Sequence, residues 1–200
     1  SSAYYFDGNS KIEIAHNSSL DVAEMTLRIR FQYYDNPNAY PNGNTVILSK
    51  REQHGHGSSF EFTTNDSFGS SWTLNGNTTD GINADLNGYG NWYDIVYVHA
   101  SDSIKIYVNE VLSVASESPG VYNSNNNPLT IGARGNFWHQ LIGTIDEVII
   151  WDRALNETEV NDLYSAIIVN GCTDSNAINY FSIANQDDGS CTYQMTYVPD

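Results

Sequence analysis

Basic residues are scarce in this chain. Only 8 Lys and Arg stand against 24 Asp and Glu in 200 residues, a formal net charge of −16. That balance repels phosphate backbones and anionic lipid, so nucleic acid is excluded as a partner and a membrane-surface role is disfavoured. Long apolar runs are missing too. The longest are fragments such as Val148-Ile149-Ile150-Trp151 and Ala166-Ile167-Ile168-Val169, far short of the ~18–20 residues that a spanning helix needs. No membrane insertion is expected. Neither an initiator Met nor a signal peptide opens the chain, which therefore reads as a mature protein or an excised fragment. Cysteine occurs only twice, and charged residues of either sign make up 16%.

What is present is polar without being highly charged. Asn and Ser fill 45 positions, beside 14 Tyr and 4 Trp, a composition typical of extracellular β-proteins. The 40% hydrophobic fraction excludes disorder and suffices for one core of ordinary domain size with a small appendage. Short alternating segments dominate. In Met25-Thr26-Leu27-Arg28-Ile29-Arg30-Phe31 the odd positions are apolar and the even ones polar, the period-two signature of a half-buried strand. Comparable runs occupy 45–50, 60–63, 71–74, 92–99, 103–108 and 111–114, and the run at 141–151 is apolar enough for a strand covered on both faces. Asn42-Gly43, Asn75-Gly76, Asn87-Gly88 and the stretch 123–127 punctuate them, supplying residues that tolerate positive φ. The pattern predicts an all-β, two-sheet antiparallel sandwich.

One helix is predicted over 157–167. Asn156 serves as N-cap, Glu159 as its capping-box partner, and Leu155 with Val160 as a hydrophobic staple. Beyond it the chain becomes loop-like, so the expected division is a sandwich domain at 1–168 and a small tail at 169–200. Cys172 and Cys191 both fall in this tail, which holds no His to complete a zinc site. An even pair in an acidic, secreted-looking chain is expected to form a disulfide, closing a loop worth about 3 kcal/mol by chain entropy.

Several strings carry a family resemblance. Tyr5-Phe6-Asp7-Gly8-Asn9-Ser10-Lys11-Ile12-Glu13-Ile14 is similar to the opening of laminin-G-like, concanavalin A-like jelly rolls, with their F-D-G turn and following strand. Asn91-Trp92, Ile106-Tyr107-Val108-Asn109-Glu110 and Pro128-Leu129-Thr130-Ile131-Gly132 follow in the family's order. Gly143-Thr144-Ile145-Asp146-Glu147-Val148-Ile149-Ile150-Trp151 completes it. The resemblance implies a jelly-roll fold over about 3–164. It also implies a structural calcium between the F-D-G turn and the I-D strand, with Asp7 and Asp146 as ligands and Glu147 beside them. The residues themselves leave two readings of Asp146. A carboxylate in an apolar strand must be paired or metal-bound, and calcium favours carboxylate oxygens; alternatively it accepts backbone N–H bonds while Asp7 merely shapes a turn. In the tail, Gly171-Cys172-Thr173-Asp174 and Asp187-Asp188-Gly189-Ser190-Cys191 resemble a cysteine-bracketed motif of secreted marine and Bacteroidetes-type bacterial proteins, which implies other modules in the same polypeptide. Asp174, Asn176, Asn179, Asp187 and Asp188 offer oxygens for a further ion, or cap turns.

Catalytic patterns are wanting. No E-x-D-x-E string puts three carboxylates on one strand face; Glu61-Phe62-Thr63 holds one acid. The five histidines show no nucleophile–base spacing, and His54-Gly55-His56 sits in a Gly- and Ser-rich stretch. Sugar recognition needs aromatic faces together with amides, carboxylates and Arg for hydroxyls. Arg134, Asn136, Trp138 and His139 form the densest such cluster, and Trp72 and Tyr89 join Tyr40, Tyr122 and Phe137 as loop-borne aromatics, while Trp92 and Trp151 are assigned to the core. Trp138 can equally pack against the strand at Leu141. The expectation is a non-catalytic, lectin-like glycan-binding module of a larger secreted or cell-surface protein, with calcium. The alternative is an adhesive module for protein–protein or cell–cell contact.

Overall fold

The computed structural model describes residues 3–34, 45–50, 60–65, 69–74, 77–86, 88–117, 124–135, 139–165, 169–182 and 184–194. The first seven strands are β1 (Tyr4–Asp7), β2 (Ile12–Ile14), β3 (Met25–Tyr33), β4 (Thr45–Ser49), β5 (Phe60–Asn65), β6 (Gly69–Leu74) and β7 (Asn77–Ala84). Then come β8 (Trp92–His99), β9 (Ile104–Val108), β10 (Val111–Ser116), β11 (Leu129–Ile131) and β12 (Ile142–Trp151). Helix α1 (Glu157–Ser165) follows, and two short strands, β13 (Asn170–Gly171) and β14 (Gln186–Asp187), close the order. Packing divides the chain into two compact units, Ser1–Leu155 and Asn156–Asp200. The sequence boundary at 168/169 follows composition; the division at 155/156 follows packing and sets α1 in the second unit.

The first unit is the expected antiparallel sandwich. Its sheets run β1-β12-β3-β8-β9-β10 and β2-β11-β4-β5-β6-β7. The alternation in β3 works as the period requires: Met25, Leu27, Ile29 and Phe31 are buried in the core beside Tyr93, Ile95 and Tyr97 of β8. Phe60, Phe62 and Leu48 supply the second sheet's side, and the Phe31 and Phe62 rings meet edge-on at 5.9 Å. Burying such side chains stabilises by about 1.5–3 kcal/mol each. Gly132 marks a close approach: at φ +86°, the space a Cβ would fill is taken by the Phe6 ring.

Trp92 departs from its core assignment. It pairs with Gln32 in register, on the face opposite Tyr93 and Ile95, and is 41% exposed. An apolar neighbourhood in sequence does not choose the face; the pleat does. The 3₁₀ turn at Ser18–Leu20 brings Asp21 to the fully buried Lys50 side chain, whose Nζ donates to Asp21 Oδ1 at 2.9 Å.

In the second unit, Asn156 and Glu159 form the predicted capping box reciprocally, at 2.9 and 3.0 Å. The Cys172–Cys191 disulfide is formed, a bond characteristic of oxidising compartments. The tail's oxygens accept backbone N–H groups, in local turns at Asp174, Asp187 and Asp188 and across the tail at Asn179. Asp174 Oδ1 accepts the Asn176 N–H, Asp187 Oδ1 that of Gly189, Asp188 Oδ1 that of Ser190 and Asn179 Oδ1 that of Thr192. No helix among the described residues is long and apolar enough to cross a membrane.

Candidate functional site

On the second sheet, Glu13, Thr130, Ser49, Glu61 and Thr73 lie in one register row across β2, β11, β4, β5 and β6. Glu61 stands between Phe60 and Phe62, which turn into the core, so its own side chain must turn outward. It is nevertheless only 2% exposed, because Arg134 covers it. Arg134 Nε donates to Glu61 Oε2 at 2.7 Å and its Nη2 donates to Oε1. Ser49 Oγ donates to Oε2 at 3.0 Å, and Thr130 Oγ1 donates to the Ser49 carbonyl. A two-pronged guanidinium–carboxylate pair is among the strongest and most geometrically specific of side-chain contacts.

The loop bearing Arg134 is pinned at its base. Leu141 N–H donates to the Gly132 carbonyl at 2.7 Å, and Val46 N–H to the His139 carbonyl at 2.8 Å. Lys11 Nζ reaches the Gly135 carbonyl at 2.7 Å and also pairs with Glu13. The result is an ordered polar network, Lys11–Glu13–Thr130–Ser49–Glu61–Arg134, on the outward side of the second sheet. Ser49, Thr130 and Glu61 are buried within it, and its central acid has both oxygens engaged.

Of the expected site residues, Arg134 belongs to this surface. His139 is 6% exposed with φ 58°, so it is a buried loop residue whose carbonyl holds β4. Asn136, Trp138, Phe137, Tyr40, Tyr122, His54 and His56 lie outside the described residues. Trp72 is in strand β6, pairing in register with Phe62 and Ile82. Tyr89 precedes β8, 38% exposed, with its ring edge-on to Tyr33 at 5.1 Å; it belongs to the other sheet's end. Glu61 is the residue that motif reading passes over. Its signal is the Phe-Glu-Phe alternation, which announces an outward acid but not its partner.

The metal expectation meets different surroundings. Asp7 Oδ1 accepts the Asn9 N–H at 2.9 Å and the Ser10 hydroxyl at 3.0 Å; those bonds, the Asn9 one foremost, hold its carboxyl below the usual value of 3.8. Asp146 is the extra residue of a bulge, where β12 shifts register between Ile145 and Glu147. It pairs with Arg30, Nη1 to Oδ2 at 3.5 Å, and Glu147 lies 3.8 Å from Arg28. Asp7 sits opposite Ile142, whereas Asp146 follows Ile145, the partner of Tyr4. Three or more residues of strand, roughly 10 Å, separate them. Calcium holds ligands at about 2.3–2.6 Å; in this structure Asp7 Oδ1 turns to Asn9 and Ser10 and Asp146 Oδ2 turns to Arg30, so each carboxylate faces other partners. Among the described residues no three His, Cys, Asp or Glu side chains gather into one cluster.

The fold has solved counterparts. The binding domain of Paraclostridial Mosquitocidal Protein 1 is similar at TM-score 0.65 and 18% identity, over 88% of this chain and 44% of that one. The K499G mutant of NanB sialidase from Streptococcus pneumoniae is similar at 0.59 and 22%, over 80% of this chain and 27% of that one. The CBM40 of a Ruminococcus gnavus IT-sialidase, bound to α2,3-sialyllactose, is similar at 0.63 and 10%, over 82% of this chain and 97% of that one. The chain thus spans less than half of the toxin domain and about a quarter of the sialidase. At such identities these likenesses establish the fold alone. No curated protein matches the sequence. Residues 6–161 match the Laminin_G_3 family, and the chain belongs to the concanavalin A-like lectin/glucanase superfamily.

Proposed function

We propose that the sandwich is a non-catalytic glycan-binding module, acting outside the cell as one part of a larger polypeptide. The observation that carries this reading is the locked Arg134–Glu61–Ser49 cluster on an outward sheet face. Sugar hydroxyls are recognised by donors and acceptors held in place beforehand, and a buried ion pair is by itself weak evidence of a stabilising role. The toxin binding domain and the sialyllactose-bound module lend the reading support through shared architecture. Glycoside cleavage calls for two carboxyl groups about 5–9.5 Å apart, one able to give a proton. Glu61 has both oxygens in use, and the next acid in its row, Glu13, is three strand spacings away, about 14 Å.

The test is a glycan array with the whole chain, in millimolar calcium and in EDTA. Binding to a defined sugar class in both arms is expected, since the Arg134–Glu61–Ser49 cluster is held together by its own hydrogen bonds. Loss in EDTA would restore calcium to the site. Silence in both arms overturns the reading, and release of reducing ends from any bound polysaccharide overturns its non-catalytic part.

A second reading, adhesion to protein, draws on the sandwich's edges. Strands β1 and β2 each end a sheet, and Tyr4, Tyr5, Ile12 and Ile14 on them are 38–57% exposed. Unpaired edges with apolar side chains favour protein contact. Sedimentation over a wide concentration range would show self-association if these edges pair.

A further inference from the structure

The outward face of the first sheet holds an aromatic and polar assembly that the Arg134 cluster does not touch. Tyr5, Thr144, Gln32 and Trp92 form one register row across β1, β12, β3 and β8. Arg30 and Glu147 pair in the next row, with Asp146 in the bulge beside them. Trp92 is 41% exposed, and the Arg30 guanidinium carbon lies 5.5 Å from its ring centroid. Gln32 is fixed at both ends of its amide: its Nε2 donates to the Gly90 carbonyl, and its Oε1 accepts the Tyr34 hydroxyl at 2.8 Å. Tyr34 and Tyr89, both 38% exposed, border the same end.

Arg30 is set apart by how it is held. Arg28 grips Asp94 through two nitrogens at 3.0 and 2.6 Å, and Arg134 grips Glu61 likewise. Among the described residues Arg30 makes one carboxylate approach, to Asp146 at 3.5 Å, longer than an ordinary hydrogen bond, and keeps 41% of its side chain in solvent. The bulge accounts for the geometry, because an extra residue re-aims its side chain across the ladder. A half-exposed indole with Arg30 over its ring and Asp146 behind that guanidinium offers a pyranose the indole's uncovered surface for its C–H groups and the exposed Arg30 N–H groups for its hydroxyls. Asp146 and Glu147, within a chain of net charge −16, disfavour a carboxylated or sulfated sugar.

The geometry points to a second binding platform, built from Trp92, Arg30, Asp146 and Gln32 on the outward face of the first sheet, for a neutral pyranose chain. It rests on the glycan-binding reading and adds to it a second face and a ligand class. Two faces on one module raise avidity for a multivalent glycan surface without any new contact.

The test titrates the isotope-labelled whole chain with laminarihexaose, cellohexaose and xylohexaose, and with a galacturonate oligomer as the charged comparison. Shifts are followed by ¹H–¹⁵N NMR. With at least one neutral hexasaccharide, the Trp92 indole and the amides of β3, β8 and the Asp146 bulge are expected to move. Trp92→Ala is expected to weaken that binding about tenfold, with circular dichroism verifying the fold. Arg30→Gln, which keeps the side chain's bulk, is expected to weaken it severalfold. Shifts confined to β4, β5 and β11 would overturn this inference and leave the glycan reading standing. Response at Arg30 to galacturonate alone would overturn the neutral class. No response to any of the four sugars would overturn the platform, and silence on the glycan array as well would overturn both readings.

Discussion

Arg28, Arg30 and Arg134 carry the same guanidinium in three settings, and the settings decide what each does. Arg28 and Arg134 are mostly buried and two-pronged on carboxylates; Arg30 is half in water over an indole. Taking one partner from a buried pair leaves the other charge without compensation, which costs about 3–5 kcal/mol, far more than the pair contributes net. Arg134→Ala is therefore expected to lower unfolding stability by about 3 kcal/mol or more, measured by urea denaturation. Adding Glu61→Gln to that variant is expected to recover part of the loss, because the stranded charge is gone. If the single variant is as stable as the wild type, Glu61 is not held by Arg134 in solution.

At the scale of elements, local chemistry sets geometry that the sheets then use. The two-residue turn between β9 and β10 places Asn109 at φ 47° and Glu110 at φ 75°, both left-handed. Hairpin twist demands that conformation even where no glycine stands. In the disulfide-closed unit, Tyr193 Oη donates to Asp174 Oδ2 at 2.7 Å. The Asn176 N–H first, and then this hydroxyl, hold Asp174 below 3.8, while the Asp174 carboxylate pushes Tyr193 above 10.0. Asp174 titrates lower folded than unfolded, so its contribution is complete above 3.8 and fades as pH falls through the lowered value. Tyr193 runs the other way: its contribution is complete below 10.0 and fades as pH climbs through the raised value. Tyr193→Phe is expected to move Asp174 upward toward 3.8 in a ¹³C carboxyl titration. An unmoved titration would mean that the hydroxyl is not on Asp174.

For the whole molecule, the net charge of −16 works against compaction. Salt shortens the Debye length from about 30 Å at 0.01 M to about 8 Å at 0.15 M, which screens that repulsion. The thermal midpoint is accordingly expected to rise over this range, measured by calorimetry. A falling midpoint would show that the ion pairs of Arg28, Lys50 and Arg134 outweigh the self-repulsion. The same charge bears on ligands, since neutral glycans meet no such barrier at either sheet face.

The sandwich was legible in the chain because burial has a period. Met25 to Phe31 alternates, Phe60 to Thr63 alternates, and each pattern admits one face toward the core. The capping box of Asn156 and Glu159 and the pairing of two lone cysteines were legible because each is satisfied within a few residues or by a single partner. Glu61, Trp92 and Asp146 were not. Glu61 acquires its role from Arg134, 73 residues on. Trp92 is turned outward by its register with Gln32, and Asp146 meets Arg30 only because a bulge inserts it opposite that strand. Sequence alone determined most of the strands, since pleat and capping are local, although β7 (Asn77–Ala84) fell outside every alternating run. Which polar groups meet on the outward faces was decided by register between strands distant in the chain, and only the folded structure sets that register.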